Sequence, residues 1–154
     1  MQIIINSALY LHVLFSVKYR EALIAPEWMD HLHDEFEDLL LFQQCVPFAM
    51  GGTSDHVHLL FDQYPLLALD DLLNDLKRRT ARWINDQSLT DVPFEWQDGY
   101  ACFGTDAEGV KELRRYIARQ AEIHDSLSYR DEFRQLLIEQ EIDFEERGLP
   151  HDPE

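Results

Sequence analysis

The most constraining feature of this chain is a change of hydrophobic period along its N-terminal half. Leu11, Val13, Phe15 and Val17 alternate with Tyr10, His12, Leu14 and Ser16, the spacing of a strand with one strongly apolar face. Pro26 suits a first helical turn. After it Trp28, Leu32, Phe36 and Leu40 recur at four-residue steps, with Met29 and Leu39 beside them, which predicts an amphipathic helix with an acidic outer face. Short apolar runs then return at Cys45–Met50 and Val57–Phe61, separated by Gly51-Gly52-Thr53-Ser54. That pattern predicts a hairpin whose glycines supply the turn.

The second half continues the alternation. Leu69, Leu72, Leu73, Leu76, Thr80 and Trp83 share one helical face and predict a helix from about Leu69 to Ile84. Pro93 to Phe103 contains a turn at Gly99 and a strand over Tyr100–Phe103. Thr105-Asp106-Ala107-Glu108 has the form of a capping box opening a third helix to about His124. Ser128-Tyr129-Arg130-Asp131 starts a fourth helix, with Phe133, Leu136 and Leu137 inward. The order predicts an α+β fold, a ferredoxin-like βαββαβ sandwich with helices on an antiparallel sheet and an additional C-terminal helix. Residues 1–154 are expected to form one domain, with 148–154 a flexible tail.

Composition narrows the class. The chain has 154 residues, 45% of them hydrophobic and 28% charged, enough for a core and far from a disordered composition. No apolar run reaches the roughly 20 residues of a membrane span, and the N-terminus lacks the basic flank of a signal peptide. The expectation is a cytoplasmic protein with no membrane partner. Cys45 and Cys102 lack paired metal-site spacing and are expected to be small buried residues in a reducing compartment. Thirty acidic against thirteen basic residues give a net charge of −17, which repels a polyanion at long range. The cations are nevertheless clustered: Lys77, Arg78, Arg79 and Arg82 in one segment, Arg114, Arg115 and Arg119 in another. Arg78 and Arg82 point away from the buried helix face, with Lys77 and Arg79 flanking it.

Two constellations carry chemistry. His56-Val57-His58 lies in the strand after the hairpin turn, so both imidazoles emerge on one face while Val57, Leu59 and Phe61 face the core. Neighbouring imidazoles on a rigid strand can chelate a divalent ion, although the same spacing also suits ordinary polar outer-face residues. On the third helix Val110, Leu113, Ile117, Ala121 and His124 form the inward stripe, with Tyr116 and Gln120 at i and i+4 on one edge. Arg115 and Arg119 run alongside, able to hold a phosphate near the phenol. A tyrosine attacks a phosphodiester when a metal polarises the phosphate oxygens; the alternative is a packed phenol and a solvent amide. His12, on the less apolar face of the first strand, suits a structural hydrogen bond near the pair.

Together these segments resemble the HUH-type single-tyrosine transposases, including the REP-associated tyrosine transposases. Asp55-His56-Val57-His58-Leu59-Leu60 looks like the HUH signature, and His12 to Arg20 resembles the family's first strand. Asp75 to Thr80 resembles its basic helix, and Trp96 to Phe103 the stretch before the catalytic helix. Tyr116-Ile117-Ala118-Arg119-Gln120 resembles its tyrosine motif, and Ser128 to Phe133 the tail of the REP-associated branch. The resemblance covers roughly residues 8 to 149. It implies cleavage and rejoining of single-stranded or hairpin-flanked DNA with Mg²⁺ or Mn²⁺ through a 5′-phosphotyrosine. Tyr116 would be the nucleophile and His56, His58 and Gln120 the metal ligands. Lys18, Arg20, Lys77, Arg78, Arg82, Arg115 and Arg119 would contact DNA. It also implies a homodimer, often with the tyrosine helix of one subunit completing its partner's site.

The chain departs from the family where Gly104 replaces a frequent Ser and Arg119 a frequent Asn. Its acidity departs further, fitting either a salt-adapted source, where salt screens the repulsion, or a domesticated, non-catalytic DNA-binding descendant. The intact set of His56, His58, Tyr116 and Gln120 favours the enzyme.

Overall fold

A computed structural model describes residues 4–150. Strand β1 (Tyr10–Ser16) leads to helix α1 (Pro26–Phe42), then strands β2 (Val46–Gly52) and β3 (His56–Asp62). Helix α2 (Leu69–Asp86), strand β4 (Ala101–Thr105) and helices α3 (Ala107–Ala118), α4 (Gln120–Ile123) and α5 (Tyr129–Glu139) follow, with short 3-10 turns at Lys18–Arg20 and Glu146–Gly148. The four strands form one antiparallel sheet in the order β2-β3-β1-β4. This is the α+β architecture that the alternating periods predict.

The strand period decides what lies on each face of the sheet. Val13, Phe15, Val57, Leu59 and Phe61 face one side and pack with Leu32, Phe36 and Leu40 of α1 and Leu72, Leu73 and Leu76 of α2. The opposite face is covered in two parts. Leu14, Ala101 and Phe103 meet Tyr129, Leu136 and Leu137 of α5, while Leu60 meets Val110 and Ile117 of α3. His12, Ser16, His56 and His58 lie on this second face, enclosed between sheet and helices. The segment before β4 is pinned to α2: Trp96 Nε1 donates to Thr80 Oγ1 at 2.9 Å, and Asn85 bonds both ways with Phe94.

Four local expectations change. The expected turn glycines belong to β2, where they permit close approach. A Cβ on Gly51 would stand 2.5 Å from both Ile117 O and Ile117 Cγ2, so α3 can rest on this strand only if the side chain is absent. Helix α3 is capped by Asp106, whose carboxylate accepts from Gly109 N at 2.8 Å, rather than by the preceding Thr105. The tail is ordered further than expected: Leu149 is buried in the second core, and Arg130 donates to the carbonyls of Leu149 and Pro150. Residues 151–154 of that expected tail lie outside the described residues.

The fourth change shapes the site. The third helix does not run unbroken to His124 but breaks at Arg119 (φ −104, ψ 17). In an unbroken helix Ala121 would follow Ile117 into the core; here Ala121 is exposed and Gln120 buried. No Gly or Pro sits at the break. The hydrogen-bonding partners waiting for the Gln120 amide override helix propensity.

Gly51→Ala gives the first expected outcome. Lifting α3 off β2 should cost about 2 kcal/mol and lower the melting temperature by roughly 4–8 °C, as calorimetry will read. An unchanged melting temperature would show that the contact between Gly51 and α3 carries no constraint.

Candidate active site

Strand β3 supplies two imidazoles, and each has its Nδ1 occupied. His56 Nδ1 lies 2.7 Å from Asp55 Oδ1, and because a carboxylate only accepts, the imidazole donates. Asp55 is itself held by the buried Arg20, at 3.2 Å, and by Thr53 Oγ1 at 3.0 Å. His58 Nδ1 meets His12 Nε2 at 2.7 Å. His12 is a diagonal neighbour across the β1–β3 ladder, since Leu14 stands opposite His58. The structural hydrogen bond expected of His12 is therefore made to one of the site imidazoles. Both His56 and His58 are left with Nε2 turned toward the space under α4 and α5.

That space is filled by Glu132, a residue missing from the sequence-based site. Its carboxylate is 1% exposed and has two distinct sides. Oε1 faces imidazoles: His58 Nε2 at 3.3 Å, His56 Nε2 at 3.5 Å and His124 Nε2 at 3.0 Å. Oε2 accepts hydrogen bonds from the Tyr116 hydroxyl and from Gln120 Nε2, the latter at 2.9 Å. Gln120 Oε1 turns back to His56 Nε2 at 2.8 Å and His124 Nε2 at 3.1 Å. The Tyr116 ring stands edge-on to His58, with centroids 5.9 Å apart. Tyr129 stacks on His56 from the other side at 4.4 Å.

Glu132 was legible in one respect. Tyr129, Glu132, Leu136 and Leu137 are the buried residues of α5, so an acid sits on an apolar helical stripe, where a lone carboxylate is costly unless partnered.

Electrostatics follow from this packing. Burial disfavours the Glu132 carboxylate, yet hydrogen bonds from His124, His56 and His58 outweigh it and hold the acid well below the usual carboxylate range. Burial also opposes the His56 imidazolium, but Asp55 and Glu132 raise it to about 9. For Asp55 burial is again outweighed, by His56 and Arg20, and its carboxyl falls to about 2. His12 is lowered to about 3 by burial and by His58, so it is a neutral partner. The Tyr116 phenol is pushed above its ordinary value by burial and by the neighbouring Glu132 charge. Without further positive charge nearby it remains protonated.

His56, His58 and Glu132 each offer one ligand atom, all within 4.8 Å of one another and all buried. Two imidazoles and a carboxylate are an ordinary donor set for a divalent ion, which would take the place of the proton on His56 Nε2. Adjacent donors of an ion with bonds of about 2.1 Å are roughly 3.0–3.4 Å apart, close to the spacings seen around Oε1.

The cations expected to contact DNA do not form one surface. Lys77, Arg78 and Arg82 belong to α2, across the sheet from Tyr116. Lys77 donates to the carbonyls of Gln97 and Gly99, while Arg78 and Arg79 share Asp75. Arg82 faces Asp86, Lys18 pairs with Glu95 at 2.9 Å, and Arg119 pairs with Glu122 at 3.1 Å. Arg115 is exposed on α3, the same helix as Tyr116. Arg20 is buried beneath the histidine strand, stacked over Tyr129 and paired with Asp55.

The family profile described as "Transposase IS200 like" matches residues 5–120. The chain belongs to the IS200-like transposase family. This IS200-like transposase is 34% identical over 115 residues to the ISDra2 transposase TnpA of Deinococcus radiodurans, a match covering 71% of the chain and 81% of the relative. Its fold resembles that of a transposase candidate from Deinococcus radiodurans, with TM-score 0.59, 22% identity and coverage of 75% and 93% of the two chains. A REP-associated tyrosine transposase solved with a REP hairpin shares the fold with TM-score 0.60, 9% identity and coverage of 82% and 76%. Glu132 and His124 lie beyond the segment that the family profile matches. Among the described residues of this transposase, no helix is long and apolar enough to cross a membrane.

Proposed function

We propose that this transposase cuts and rejoins single-stranded DNA at hairpin-flanked ends, with Tyr116 as nucleophile and a divalent ion, Mg²⁺ or Mn²⁺ being the first to test, held by the histidine strand. The observation that carries the reading is that the phenol and both imidazoles converge on one buried carboxylate, Glu132, within a single chain. His56, His58 and Glu132 Oε1 would hold the ion, with Gln120 Oε1 beside them. When bound, the ion supplies Lewis-acid polarisation of the scissile phosphate.

The residues do the rest. Glu132 Oε2 accepts the Tyr116 O–H hydrogen bond and so orients the phenol; because the carboxylate is held in its charged form, the phenol proton passes through solvent to the departing 3′ oxygen as attack proceeds. The phenol oxygen attacks phosphorus, the bond from phosphorus to the 3′ oxygen breaks, and a 5′-phosphotyrosine forms as the released strand takes up a proton on its 3′ oxygen. Rejoining reverses these steps: an incoming 3′ hydroxyl attacks the phosphotyrosine, and the phenol leaves and regains its proton. Asp55 and His12 keep the two imidazoles oriented. DNA as a partner is also supported by the REP hairpin held by the structural relative. Arg115 on the tyrosine helix and Arg119 at its end would steer it.

Because one chain brings nucleophile and imidazoles together, the catalytic unit in this reading is a single chain acting in cis. A homodimer is compatible with it but does not build the site. The intact constellation favours an active enzyme over a non-catalytic descendant.

Metal linkage provides the test. Ligand present at 100 times its dissociation constant stabilises a folded protein by about 2.7 kcal/mol. Mn²⁺ should therefore raise the wild-type melting temperature by several degrees, and chelation should reverse the gain. The paired substitution of His56 and His58 by Ala should remove the response. A double variant with undiminished Mn²⁺ stabilisation would overturn the ligand assignment.

A further inference from the structure

We infer that His124 is a third imidazole ligand of this site, which makes it a nitrogen-rich centre for a first-row transition ion rather than a magnesium site. The inference rests on the metal reading above and adds a residue to it. His124 lies just beyond the break at Arg119, and the new direction of α4 carries its ring over the cluster, 4.6 Å from the His56 ring centroid.

Three geometric facts support the assignment. First, His124 Nδ1 lies 2.5 Å from the Leu127 carbonyl. A carbonyl only accepts, so Nδ1 carries a hydrogen, and Nε2 is the atom presented inward to the Glu132 and Gln120 oxygens, where an ion would take the place of its hydrogen. A metal-ligating histidine has this arrangement, one nitrogen donating to a carbonyl or carboxylate and the other facing the ion. Second, His124 Nε2 stands 3.0 Å from Glu132 Oε1 and 3.1 Å from Gln120 Oε1. It is closer to Glu132 Oε1 than either strand imidazole, at 3.3 and 3.5 Å. Third, His124 is fixed as the strand histidines are, each having its Nδ1 engaged, by Asp55, His12 or Leu127.

The ion class follows from the donors. Three imidazole nitrogens with one carboxylate oxygen suit Mn²⁺, Co²⁺ or Zn²⁺, with affinity rising toward the later ions. Mg²⁺ prefers oxygen ligands and parts reluctantly with its water, so it should compete poorly here.

Co²⁺ is the probe, because its visible absorption reports the ligands. Full-length wild type should bind Co²⁺ with a d–d spectrum that a hundredfold excess of Mg²⁺ does not bleach. His124→Ala should bind about ten- to a hundredfold more weakly and with a shifted spectrum, while retaining its circular dichroism. In Co²⁺-loaded wild type, proton NMR should show three strongly shifted exchangeable imidazole signals, one for each Nδ1–H. This second measurement needs no variant.

Unchanged affinity and spectrum in His124→Ala, or only two shifted signals in wild type, would overturn the role of His124 while leaving the metal reading intact. Efficient displacement by Mg²⁺ would overturn the ion class. A wild-type protein that binds no Co²⁺ would remove both this inference and the metal reading beneath it.

Discussion

Glu132→Ala should destabilise the metal-free protein by about 3 kcal/mol and eliminate tight metal binding. The carboxylate is the common acceptor for His58, His124, Tyr116 and Gln120, and it lies 3.5 Å from His56 Nε2. Removing it leaves several buried donors without an acceptor and takes away one of the two carboxylates that face the His56 imidazolium. Breaking a buried pair by deleting one partner costs roughly 3–5 kcal/mol, more than the pair contributes relative to an apolar replacement. Denaturant unfolding in EDTA reads the stability loss, and titration with Mn²⁺ reads the second effect. Glu132→Gln separates the two: its amide keeps the volume and an acceptor oxygen but loses the charge. It should fold better than the alanine variant and still bind Mn²⁺ poorly. Wild-type affinity in Glu132→Gln would show that the carboxylate is only structural.

Mixing Tyr116→Phe with His56→Ala should restore no covalent adduct, even in a verified heterodimer. In the cis reading proposed above, each site takes its phenol and its imidazoles from the same chain, so each site in the mixture would carry one lesion. In a trans arrangement the heterodimer would instead regain one intact site. The assay is a denaturing gel with labelled hairpin DNA and Mn²⁺. Rescue would mean that the tyrosine helix exchanges between subunits and that the cis arrangement is not the working one.

Much of the fold was legible because its hydrophobic periods are clean. The alternation of Leu11 to Val17 and the four-residue steps of Trp28 to Leu40 specify elements that the structure contains. The same alternation placed both imidazoles on one face. What escaped was decided by contacts between distant segments. Nothing local marks Arg119 as a break, since the force bending the chain comes from partners of Gln120 on β3 and α5. Gly51 read as a turn residue because its neighbour on α3, Ile117, is invisible in a local window. Glu132 was one acid among thirty. Its signal was its position on the Tyr129, Leu136 and Leu137 stripe, which matters only once that stripe is seen to cover a histidine pair. The clustered cations were visible too, but not that α2 would carry them to the opposite face of the sheet.

The central claim is that Tyr116 forms a metal-dependent covalent bond to DNA. Its most direct test is mass spectrometry of the protease-digested adduct formed by full-length protein with hairpin-flanked single-stranded DNA and Mn²⁺. The account predicts a nucleotide linked through its 5′ phosphate to Tyr116, dependent on metal, with adduct yield falling at least about 10³-fold in Tyr116→Phe, as expected when a covalent nucleophile is lost. A linkage to any other residue, or undiminished metal-dependent cleavage by Tyr116→Phe, would contradict it.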